Sequence, residues 1–141
     1  MLLNEILDRA VEQTPDKKAV ICGGESCTYI ELSEKMDLWA KTLLSLGVKK
    51  GDRVALFMKN RVELVQLYFA CFRIGAIIVP LNTRYQTPEA VYGLEQSGSR
   101  ILITSSELFS VVENLDKTIP SLEHIYTIDG DLDNSSISWS R

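Results

Sequence analysis

Apolar residues at Leu2, Leu3, Ile6, Leu7, Ala10 and Val11 recur at helical spacing and predict an amphipathic helix that ends before Pro15. "AVICGGESCTY" follows. Two short β-favouring runs flank Gly23-Gly24, a pair that tolerates the positive φ of a tight turn, so the stretch predicts a hairpin. Thr28 and Glu31 have the T-x-x-E spacing of a capping box. The helix they open has an apolar stripe of Leu32, Met36, Trp39, Leu43 and Leu46, and Gly47 stands where a glycine closes a helix. Arg53–Met58 is apolar on consecutive positions, as in a strand buried on both faces. Asn60 and Glu63 repeat the cap-and-acid spacing and open a third helix, through Ile74 and closed by Gly75.

Further along, "AIIVPL" reads as a strand. Thr87-Pro88-Glu89 starts a helix, with proline at its first position, that runs to about Ser97. "RILIT" is a strand, Ser105 or Ser106 caps a helix through about Lys117, and "HIYTID" is the last strand. After the hairpin, helices and strands alternate. That order predicts right-handed crossovers and an α/β fold: a mainly parallel sheet flanked by helices, with an N-terminal hairpin. Residues 1–130 form the folded part, and 131–141, polar and serine-rich, read as a connector.

The third helix departs from the usual pattern. Val62, Leu64, Val65, Leu67, Tyr68, Phe69, Ala70, Cys71, Phe72 and Ile74 go round almost the whole cylinder, and a helix that is apolar all round is buried all round. The pattern predicts a covering layer over helix 61–74: the remainder of a longer chain, or a self-association partner.

Composition narrows the function. The chain has 141 residues, is 45% hydrophobic and 24% charged, and has a net charge of −4. Lys49-Lys50 is too small a basic cluster for nucleic-acid binding. The apolar run Leu67–Asn82 is too short for a membrane span and is broken by Arg73, Gly75 and Pro80. The N-terminus lacks the basic and apolar regions of a signal peptide, so a cytoplasmic location is expected. Cys22, Cys27 and Cys71 show no CxxC spacing and His124 is the one histidine. Reduced thiols are expected, and no metal site.

Candidate chemistry is sparse. "GLEQSGSR", Gly93 to Arg100, imitates a phosphate loop but has Ser99 in place of the lysine. It also follows a helix and precedes a strand, the reverse of the required order, so Gly98 reads as a helix cap. No G-x-S-x-G is present. Asp52 and Asp129 read as turn residues, not as the acidic pocket of a phosphoacceptor domain, and Arg73 as a charge suited to its helix C-terminus. No catalytic, cofactor-binding or metal-binding residue is assigned.

Thr28-Tyr29 with Glu31-Leu32, Gly47-Val48, Gly51-Asp52-Arg53-Val54, Asn60 with Glu63, Gly75-Ala76 and Val79-Pro80-Leu81-Asn82 together resemble the beginning of the adenylate-forming (AMP-binding) enzymes. "TPDKKAV", Tyr92, Ser97 and "ILIT" fit the same register, so the resemblance covers about residues 1–128. "VPLNTRY" leans toward fatty-acid or medium-chain acyl-CoA synthetases. The resemblance implies the leading portion of the large N-terminal domain of an ATP-dependent ligase. Such an enzyme forms an acyl-adenylate with Mg²⁺ assisting and then a thioester with coenzyme A. The family's working motifs are a Ser/Thr/Gly-rich loop ending in Lys-Gly, an aromatic-Gly-x-Thr-Glu segment, a ribose-binding acid and a late lysine. They have no counterpart in these residues, and the loop is expected just beyond Arg141. The chain alone is therefore expected to be inactive, with ATP, Mg²⁺ and coenzyme A belonging to the parent. The alternative is a non-enzymatic α/β module that dimerises or binds a partner through helix 61–74.

Overall fold

The computed structural model describes residues 2–128 and 137–139. The chain divides into two compact units, one of residues 1–50 and 60–76 and one of residues 51–59 and 77–141.

The first unit contains α1 (Leu3–Gln13), the antiparallel hairpin β1 (Lys18–Cys22) and β2 (Glu25–Thr28), α2 (Tyr29–Ser45) and α3 (Val62–Ile74). Gly23 takes the positive φ, 61°, that the hairpin turn needs. The capping box forms as its spacing predicts. Thr28 Oγ1 accepts from the Glu31 amide at 3.3 Å, and the Glu31 carboxylate accepts from the Thr28 amide at 2.9 Å. The start of α3 differs from expectation. Arg61, in extended conformation, occupies the cap position, and its Nε donates to Glu63 at 2.8 Å. The Asn60 carbonyl accepts from the Cys22 thiol instead. Helical dihedrals begin only at Val62, so Asn60 is one residue too early to cap.

Within this unit α2 packs along α3, α1 packs on both helices, and the hairpin lies against both α2 and α3. The stripe on α2 is buried at Leu32, Met36, Trp39, Ala40 and Leu43, while Leu46 is half-buried. On α3 the inward strip is Val62, Glu63, Gln66, Leu67, Ala70 and Cys71. Its two polar members are both satisfied: Glu63 by Arg61, and Gln66 by the buried indole of Trp39, whose Nε1 donates at 3.0 Å. Tyr68, Phe69 and Phe72 are half-buried and meet edge to face, and Arg73 is the one exposed residue of the helix. Much of the cover over this apolar helix thus comes from elements of its own unit.

Gly75 closes α3 at φ 76°, in the left-handed region that disfavours a side chain. A Cβ there would also lie 2.9 Å from Lys50 Cγ, so two independent constraints require glycine.

The second unit is built on a five-stranded sheet in the order β4 (Ile77–Pro80), β3 (Arg53–Phe57), β5 (Ile101–Ser105), β6 (His124–Ile128), β7 (Ile137–Trp139). The first four strands are parallel and β7 runs antiparallel to β6. Val54 to Phe57 and all five residues of β5 are buried, as consecutive apolar runs require. Ile77 and Leu81 donate to the Asp52 and Leu56 carbonyls, so alternate positions, Pro80 among them, face away from β3. A proline on that side removes a donor from the free edge at no cost to the ladder.

α4 (Thr87–Ser97) begins one residue earlier than a proline at the first position implies, with Gln86 at the cap and Pro88 second in the helix. Its apolar residues Ala90 and Leu94 join Phe57, Leu102, Val112 and Ile125 in one core. The helix expected from Ser105 or Ser106 to Lys117 is broken. A 3₁₀ turn at Ser106–Leu108 leads into the one-turn α5 (Phe109–Val112), and a second turn spans Leu115–Lys117. Asn114 at φ 65° is the break, since asparagine enters the left-handed region more readily than most residues. Val112, Leu115, Ile119 and Leu122 still reach the core across it. The connector expected over 131–141 lies outside the described residues except at Ile137–Trp139, which form β7.

Candidate functional site

Parallel α/β sheets bind ligands beyond the carboxyl ends of their strands, at the point where strand order reverses. Here the chain runs from β3 to β4 on one side of β3, then returns to β5 on the other. The switch point therefore lies between the ends of β3 and β5. Thr104 Oγ1 donates to the Phe57 carbonyl at 2.7 Å, tying the two strand ends together. Ser105, the last residue of β5, is 3% exposed and its hydroxyl has no hydrogen-bond partner among the described residues. Beside it the exposed Lys59 and Glu107 approach to 3.8 Å. After β4, the Asn82 side chain accepts from the Arg84 amide at 2.9 Å and shapes the loop into α4. Among the described residues, this end of the sheet offers hydroxyls and the Lys59–Glu107 pair, and no nucleophile beside a base.

The residues flagged in the sequence fall elsewhere. Gly98 is a helix cap at φ 62°, and Arg53 donates to the Ser97 and Gly98 carbonyls at 2.9 and 3.3 Å. "GLEQSGSR" thus presents carbonyls to a cation, the opposite of a phosphate loop. Arg73 pairs with Asp8 at 2.6 Å besides lying in the last turn of α3. His124 opens β6 at the amino end of the sheet, its ring 5.8 Å from that of Tyr126. Asp129 lies outside the described residues. Among the described residues no three His, Cys, Asp or Glu side chains gather as a metal site, and no helix is long and apolar enough to cross a membrane. Cys22, Cys27 and Cys71 are free thiols. Burial pushes the Cys71 thiol up to about 12 and, with the Glu31 charge adding to it, raises Cys27 as well.

Asp52 is more than a turn residue. Arg100 donates to Asp52 at 2.7 Å and to Glu123 at 2.8 Å. The bond to Glu123, then that to Asp52, strengthens the hold on the charged guanidinium and raises its pKa. Asp52, Arg100 and Glu123 each stand immediately before a strand, β3, β5 and β6 in turn. Parallel register sets Arg100 beside Glu123, because Ile101 pairs with His124. The network lies at the amino end of the sheet, away from the switch point, and clamps three strands.

The whole chain, both units included, has recognisable relatives. The chain matches the family described as AMP-binding enzyme over residues 7–140. It is 34% identical over 124 residues to the medium/long-chain-fatty-acid–CoA/3-oxocholest-4-en-26-oate–CoA ligase of Mycobacterium tuberculosis (strain ATCC 25618 / H37Rv), covering 88% of this chain and 22% of that one. It is 41% identical over 95 residues to the 2-succinylbenzoate–CoA ligase of Geobacillus kaustophilus (strain HTA426), covering 67% and 19%. In structure it is similar to the anthranilate CoA ligase AuaEII in complex with anthranoyl-AMP, with a TM-score of 0.86 and 30% identity, over 94% of this chain and 26% of that one. The chain thus spans about a quarter or less of the length of these ligases. A match running from residue 7 to residue 140, on the fold that the helix–strand alternation required, places the chain in the AMP-binding enzyme family.

Proposed function

We propose that this chain supplies the leading part of the N-terminal domain of an ATP-dependent carboxylate–CoA ligase. The observation that supports the reading is the close likeness of its fold, at a TM-score of 0.86, to a CoA ligase bound to an acyl-adenylate. In the parent reaction a carboxylate oxygen attacks the α-phosphate of ATP and pyrophosphate leaves. The thiolate of coenzyme A then attacks the acyl carbon and AMP leaves. ATP, Mg²⁺ and coenzyme A act on the parent. The described residues contribute the sheet and the buried supports behind it. "VPLNTRY" and the likeness to a medium/long-chain-fatty-acid ligase favour an aliphatic acid as substrate.

ATP–pyrophosphate exchange tests the reading. The 141-residue chain is expected to show none with aliphatic or aromatic carboxylates, whereas a longer product of the same gene exchanges with at least one. Exchange by the short chain alone, or a longer product inert toward every acid, overturns it.

A further inference from the structure

The first unit holds an open cleft of about 650 Å³ whose lining includes Leu3, Asn4, Lys50, Phe72, Arg73 and Ile74. All of these residues belong to that unit. Much of the wall is apolar. Leu3 is 56% exposed, and Phe72 is held edge to face against Phe69 at 5.7 Å and Tyr68 at 6.4 Å. The cleft also has two cations in its wall. Arg73 spends its charge on Asp8 at 2.6 Å. Lys50 has no acidic partner among the described residues. Its stem runs over Gly75, where a Cβ would lie 2.9 Å from Lys50 Cγ and 3.6 Å from Cδ. The glycine that closes α3 thus leaves room for the lysine that lines the cleft.

We propose that this cleft binds a small amphipathic monoanion, an aliphatic carboxylate whose chain lies on Leu3, Phe72 and Ile74 and whose head group meets Lys50. The proposal goes beyond the ligase reading and does not depend on it. Size, wall chemistry and charge together select this ligand. Clefts of about 300–1,000 Å³ with mostly apolar walls and a few polar groups take small molecules. Arg73, Asp8 and Lys50 together carry one net positive charge. A monoanion matches that charge, whereas a dianion such as phosphate leaves a negative charge uncompensated beside Asp8. Asn4, also in the wall, carries an amide able to donate to a carboxylate oxygen. Acetate has the charge but no chain to cover the apolar wall, and an uncharged chain leaves Lys50 unanswered.

Isothermal titration of the 141-residue chain with octanoate, decanoate and dodecanoate, each below its micelle concentration, tests the proposal. A single carboxylate should bind per chain, with affinity rising about twofold to fourfold for each added methylene. Decanol should bind about fivefold more weakly than decanoate, and decylamine more weakly still. Lys50→Met keeps the stem over Gly75 and removes the charge, so it should bind decanoate only as weakly as decanol. Leu3→Glu, at an exposed position, puts a carboxylate in the cleft and should abolish binding, with an unchanged circular dichroism spectrum showing that the chain still folds. Absence of saturable decanoate binding overturns the proposal, as does equal affinity for decanoate and decanol. Decanoate binding that survives both substitutions also overturns it, because the acid is then held elsewhere, as the substrate of a ligase would be. Binding to phosphatidylserine vesicles without binding of decanoate overturns it too, and identifies a membrane surface as the partner.

Discussion

Replacing Gln66 by leucine is the sharpest test of how α3 is held. Gln66 is 3% exposed and Trp39 fully buried, and the indole Nε1 donates to the amide oxygen at 3.0 Å. Leucine removes the acceptor but leaves the donor in place, out of reach of water. An orphaned buried donor costs about 1–3 kcal/mol, more than the net worth of the bond itself. Trp39→Phe removes the donor but leaves space where the larger ring had been, with its own cavity cost. In the double variant neither orphan remains. Its loss should therefore be smaller than the sum of the single losses by about 1–2 kcal/mol. Urea unfolding followed by far-ultraviolet circular dichroism reads this directly, since Trp39→Phe removes a fluorophore. At a slope of about 1–3 kcal/mol per molar urea, the Gln66→Leu midpoint should fall by roughly 1 M. Additivity within about 0.5 kcal/mol would refute the reasoning, because the two side chains would then be energetically independent despite their distance.

Two other perturbations follow from the same geometry. Gly98→Ala puts a Cβ at φ 62° and 2.6 Å from Arg53 Nη2. It should destabilise the chain by about 1–2 kcal/mol from the left-handed backbone alone, and further as Arg53 leaves the α4 carbonyls, measured by the same unfolding midpoint. Cys71 sets a pH dependence: its thiol is pushed up to about 12 by burial, from an ordinary value of 9. The unfolded chain then loses a proton that the folded chain keeps, so stability is full below pH 9 and declines up to about 12, by at most about 1.4 kcal/mol per pH unit. Cys71→Ala should be less stable at pH 8 but show a flatter decline between pH 9 and 11; parallel declines would show that the thiol contributes nothing to it.

The apolar and polar pattern by itself determined the order of the main elements and the parallel part of the sheet. These depend on period and on local chemistry: a T-x-x-E box bonds within four residues, and a glycine closes a helix wherever the chain must turn left-handed. Tertiary structure decided what separation along the chain conceals. Asp52, Arg100 and Glu123 meet because three strands lie in parallel register, and nothing local marks Asp52 as the partner of a residue 48 positions away. The polar Glu63 and Gln66 occupy the inward strip of α3, while Tyr68 and Phe69 are only half-buried, because Arg61 and Trp39 offer partners inside. Hydropathy counts side chains but cannot see such partners, so the sequence pattern could register that α3 is apolar on every side without showing what surrounds it. Much of that cover is α1, α2 and the hairpin of its own unit, and the apolar side chains that unit leaves exposed include Ile21 of β1, Leu3 of α1 and Leu44 of α2.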